Sequence, residues 1–193
     1  MDPHSQLSED RSLHWLDLDP AVRLARQNLG EWALARAQEI QAEFGFGFRP
    51  AAIAPTSLDD LRTEFRACQI SGLPLRVSDR FCEQTIYPTP HHNVAFRFFH
   101  DSRHVFLDAQ FTTEDELLVA SCHLARLTHD GFGNGTVEYR LLFADTVGQT
   151  RFVAEANEFV IDQKRFALRC LTTDLSTAIS DELFAQRFGG TAA

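Results

Sequence analysis

The chain has 193 residues, 44% of them hydrophobic with 17 Phe, which is enough for one folded domain and argues against disorder. No apolar run approaches the roughly 20 residues of a membrane span. The net charge of −9, with 17 Arg and the single Lys164, argues against duplex nucleic acid as a partner and favours basic ones.

The start, MDPHSQLSEDRS, has neither a basic nor an apolar signal region, so a cytoplasmic location is expected. Cys68, Cys82, Cys122 and Cys170 have spacings of 14, 40 and 48, which fit no zinc pattern and read as free thiols. Residues 1–17 read as a flexible leader and residues 18–193 as a single domain.

Asp19-Pro20 has the residue order of a helix start. Val22, Ala25, Leu29, Ala33, Ala37, Ile40 and Phe44 then recur at helical spacing, and Gly45 is a C-cap. Gly30 weakens the middle of this helix slightly. Phe44 to Pro55 reads as an irregular connection docked on the core. A second helix starts at Ser57, with Asp60 three residues on, and buries Leu58, Leu61, Phe65 and Cys68. Leu73 to Val77 reads as a short edge strand, and Arg80 to His92, with two prolines, as a surface loop.

The central stretch, Asn93 to Phe111, reads as a β-hairpin. Placing its apolar residues on one face puts Phe98 opposite Val105, Phe96 opposite Leu107 and Val94 opposite Ala109, with Asp101-Ser102 as the turn. Arg97, Phe99, His104, Phe106 and Asp108 then share the second face. A helix follows from Thr113, with Glu116 in its capping box, to about Thr128. Val137 to Ala156 reads as a second hairpin turning at Val147-Gly148, with Arg140 opposite Glu155. Phe159 to Ile161 and Phe166 to Cys170 read as strands, after a bulge near Asn157-Glu158. The last helix runs from Asp174 to Phe188. The expected fold is therefore α+β: a mainly antiparallel sheet of about five to seven strands packed against a long N-terminal, a middle and a C-terminal helix. That element order loosely resembles the arrangement of secretion chaperones, which are also acidic.

No catalytic motif stands out. GFGNG, Gly131 to Gly135, follows a helix and opens a strand, the reverse of a phosphate-binding loop. In the hairpin register the rings of His100 and His104 need not converge, and His123 and His129 do not share a helix face, so no metal and no cofactor are expected. TTEDE, Thr112 to Glu116, reads as helix capping rather than a catalytic carboxylate pair. These features favour a non-catalytic protein that binds another protein, as inhibitor, immunity factor, chaperone or regulator, with a homodimer also compatible. Its binding surface would use Phe99, Phe106, Arg97, His91 and His92. The alternative is a small enzyme, a hydrolase or transferase of a phosphorylated or carboxylated small molecule. Arg97 would orient the substrate, His104 would titrate, and Asp108 would pair with Arg97. A deep pocket beside these residues favours the enzyme, and a flat apolar patch favours the binder.

Overall fold

The structure, a computed structural model, describes residues 13 and 15–188. Residues 15–18 are helical, Leu13 is buried, and Asp17 pairs with Arg26 and Lys164; the rest of the leader lies outside the described residues. Helix α1 (Pro20–Phe44) begins where expected, because the Asp19 carboxylate accepts from the Ala21 amide at 2.7 Å and Pro20 needs no partner for its nitrogen. It ends at Gly45, whose φ of 79° suits a residue without Cβ.

β1 (Phe48–Ala51), α2 (Leu58–Ser71) and β2 (Leu75–Ser78) form one β-α-β unit. Its strands are parallel, with Phe48 level with Leu75. Ser57 caps α2 by accepting from the Asp60 amide, and Gly72 closes it in the left-handed region.

The largest correction concerns the presumed hairpins. About 70% of the structure is helix and 5% strand, and the two parallel strands replace the expected antiparallel sheet. Asn93 to Leu107 lies within one helix, α3 (Pro90–Leu107). α3 buries a broad face that includes Val94, Ala95, Phe96, Phe98 and Phe99, and over so short an apolar run a period of two fits as readily as one of 3.6. Val94, Phe98, Ser102 and Val105 follow helical spacing as well as they follow any strand. The Thr89 side chain accepts from the His92 amide and Pro90 occupies the first turn, so the supposed surface loop contains the helix start. Ser102, expected in a turn, donates from Oγ to the Phe98 carbonyl one helical turn back. Asp108, with φ 57°, ends the helix.

α4 (Thr113–His129) follows as expected, but its cap is Thr112 bonded to the Asp115 amide, which leaves Glu116 out of the capping pair. The second hairpin is also helical: α5 (Val137–Phe143), a π-helical turn (Ala144–Gly148) and α6 (Gln149–Ala156) run end to end. Val147-Gly148 is therefore interior to a helical rod. A Cβ at Gly148 would stand 3.1 Å from the Phe166 ring, so the position serves close packing rather than a turn. Arg140 donates to the Leu171 carbonyl instead of facing Glu155. The expected bulge near Asn157 is the left-handed cap of α6. Residues 166–170 lie in α7 (Gln163–Thr172), and α8 (Leu175–Phe188) closes the described chain. With the antiparallel order gone, the likeness to secretion chaperones goes too.

α3 is the hub of the main core, which also draws on α1, α2, both strands, α4 and α5. Phe98 stacks on Phe48 and meets Phe46 edge-on, while Phe99 packs edge-on against Trp32. A smaller cluster of Phe152, Val160, Phe166, Ala178 and Ile179 lies under α8. No helix among the described residues is long and apolar enough to cross a membrane.

Candidate functional site

The helical course of α3 places His100 and His104 one turn apart on one face. Glu116, in the first turn of α4, faces both. His100 Nε2 and His104 Nε2 are 2.9 Å apart; Glu116 Oε2 lies 3.3 Å from the first and Oε1 3.5 Å from the second. The far sides of both rings are tied down. His104 Nδ1 is 3.1 Å from the Ala109 carbonyl, and His100 Nδ1 is 3.2 Å from Nε2 of His123, one helical face further along α4. His104 and His123 are fully buried, the latter between Phe96 and Phe99. Phe111 meets the His104 ring edge-on.

His100 and Glu116 form part of the wall of a cavity of about 650 Å³. Arg97 and Asp101 of α3, Asp145 and Thr146 of the π turn, and Gln149 of α6 are among its other polar lining residues. Phe81, Phe111 and Phe159 line it while remaining substantially exposed, so its mouth is aromatic. The π turn sets Asp145 toward the cavity; such turns interrupt helices frequently at functional sites.

The electrostatics follow from burial. Desolvation pushes the carboxyls of Asp101 and Asp145 up to about 6, partly opposed by the positive field of Arg97 and His100. Desolvation also opposes ionisation of Glu116, but the hydrogen bonds and charges of His100 and His104 outweigh it, and the carboxyl falls well below the usual range. The same pairing holds His100 above an ordinary histidine despite burial. His123, buried beside cations, is held well below. Gln149 donates to Asp145 at 2.7 Å, and the buried Tyr87 hydroxyl lies near that carboxylate without a hydrogen bond of ordinary length.

The residues singled out from sequence are dispersed. Arg97 does line the cavity, but its Nη1 donates to the carbonyls of Ser78 and Arg80 at 2.9 and 2.7 Å, which anchors α3 to the end of β2. Asp108 is exposed and pairs with Arg62, so the expected Arg97–Asp108 pair does not form. Their eleven-residue separation spans three helical turns rather than a strand diagonal. His104 lies behind the cavity wall. Phe99 is core; Phe106 stacks on Phe44 across the molecule; His91 stacks on Phe48; and His92 bonds Thr89.

From sequence, Glu116 reads as helix capping, His123 is set aside as a metal ligand, Asp101 falls in a turn, and Asp145 is not singled out. The available signal was the HxxxH spacing of His100 and His104, which converges on a helix but not in the hairpin register. No known family matches the chain, and no curated protein or solved structure is significantly similar to it.

Proposed function

We propose that the protein is an enzyme acting on a small organic molecule held in the cavity between α3, α4 and the π turn. One observation carries this reading: a cavity of about 650 Å³ joins an aromatic mouth to a wall of ionisable side chains. The ligand class follows from that division. An apolar body would rest on Phe81, Phe111, Phe159 and Val153, and a polar head would reach toward Asp101, Asp145 and His100. Asp145 is the acid–base candidate, because its carboxyl near 6 is matched to proton transfer around neutral pH. The site differs from the sequence-based alternative in excluding Asp108 and in using Arg97 to anchor the wall. A cytoplasmic setting fits four free thiols.

The test has two parts. Nile red, an uncharged apolar dye, should bind at one per chain, and V153W, which narrows the cavity, should weaken that binding at least tenfold. Hydrolysis of p-nitrophenyl acetate, butyrate and phosphate should then be compared between wild type and D145N. Dye binding that V153W leaves unchanged, with no turnover that D145N removes, would overturn the reading.

Protein binding is the second reading. Phe159 and Ile161 stand about two-thirds exposed after α6, where a partner would cover them. A partner captured equally by wild type and V153W, and lost with Phe159→Asp, would favour it.

A further inference from the structure

We propose that His100, His104 and Glu116 bind one divalent first-row transition-metal ion, with Zn²⁺ or Fe²⁺ the class their donors suit. A carbonyl can only accept, so His104 Nδ1 must carry the hydrogen in its contact with Ala109. In a neutral ring this leaves His104 Nε2 as a bare lone pair. That lone pair faces His100 Nε2 and one Glu116 oxygen, while the other oxygen also faces His100 Nε2. A neutral His100 can supply a single hydrogen to this group. Three acceptors, one of them ionised, then surround one proton, and His104 Nε2 and Glu116 Oε1 confront each other with nothing between them. A cation, either a further proton or a metal ion, would give every one of these acceptors a partner.

Geometry favours the metal. Donors on one face of an octahedral or tetrahedral shell, with bonds of about 2.0–2.1 Å, stand roughly 2.8–3.4 Å apart. Here the two Nε2 atoms are 2.9 Å apart, and the Glu116 carboxylate straddles them, with Oε2 3.3 Å from His100 and Oε1 3.5 Å from His104. The donor atoms of all three residues cluster within 4.8 Å of one another, which no other trio of His, Cys, Asp or Glu achieves among the described residues. Both rings turn Nε2 to one point, and each is oriented by a partner on Nδ1, as in metal sites whose outer contacts fix the ligand tautomer. Two imidazoles and a carboxylate leave coordination positions open, and two of the three donors, His100 and Glu116, also line the cavity. Asp101 adds a second carboxyl on the same wall.

The full chain, stripped with a chelator and dialysed, would be titrated with ZnCl₂ by calorimetry and with CoCl₂ by visible absorption. One ion per chain should bind with micromolar or tighter affinity, and bound Co²⁺ should give d–d bands. E116Q and H104Q should each weaken Zn²⁺ binding at least 100-fold, while H129A, at an exposed histidine, should leave it unchanged. His104 is fully buried, so its variant could lose the fold; Glu116 is only partly buried, and E116Q with a wild-type circular dichroism spectrum decides the matter alone. Absence of saturable binding, or binding that E116Q leaves intact, would overturn the proposal and assign the cation to a proton. The ion does not depend on the small-molecule reading. Ion binding without dye binding would end that reading only, and dye binding without the ion would end this one only.

Discussion

Gly30→Ala separates the local and tertiary accounts of α1 by sign. In an isolated helix interior the change stabilises by about 1 kcal/mol. In the folded protein, the added Cβ would stand 2.8 Å from Pro88 Cδ, 2.9 Å from Pro88 Cγ and 2.8 Å from His92 Cδ2. Neither neighbour yields easily. The proline ring is rigid and lies beside the start of α3, and His92 Nδ1 is held 2.7 Å from Thr89 Oγ1. Overpacking of this kind costs about 1–3 kcal/mol, and three contacts this close belong to the upper half of that range. The expected balance is a loss of about 1–2 kcal/mol, or a melting temperature lower by roughly 2–8 °C in a chain of this size. Urea unfolding followed by circular dichroism would measure it. Adding Pro88→Ala removes two of the three contacts, so the double variant should recover part of the loss. A Gly30→Ala protein as stable as wild type, or more so, would refute the close approach of α1 to the start of α3.

Asp145 has a folded pKa of about 6 against an ordinary 3.8, so folding favours its protonated form. The stability this contributes is complete below about pH 4 and lost as pH rises through 6, a change of at most about 3 kcal/mol. D145N should therefore gain on wild type between pH 4 and 7, as measured by urea melts across pH; a difference constant with pH would contradict the buried carboxyl. Phe98→Ala removes a fully buried ring stacked on Phe48 and should cost about 3–5 kcal/mol in denaturant melts. Thr89→Ala should cost about 1 kcal/mol if Thr89 caps α3, and nothing if residues 80–92 were only a surface loop. A double-mutant cycle between Arg97 and Asp108 should give no coupling energy, since each binds elsewhere.

Sequence alone located α1, α2, α4 and α8, because each carries an amphipathic stripe and at least one recognisable terminus: Asp19-Pro20, Ser57 with Asp60, the Thr-rich start before Glu116, and Asp174. It also placed a short strand close to Leu75–Ser78. What it could not decide was the state of Asn93 to Leu107 and Val137 to Ala156. Each contains short apolar runs, such as Val94 to Phe99 and Leu141 to Ala144, that either period describes. Their helical state is read from the caps Thr89 and Thr136 at their starts and, for α3, from a broad buried face. The site was legible only as its parts. His100 and His104 share a face because α3 is a helix, and Glu116 reaches them because Thr112 and Asp115 take over the cap. Asp145 enters the cavity because a π turn shifts the rod at Ala144–Gly148. Local propensity acts over a turn or two of chain. The 2.9 Å between His100 and His104 lies within α3, whereas the 3.3 and 3.5 Å to Glu116 arise only where α3 and α4 pack together.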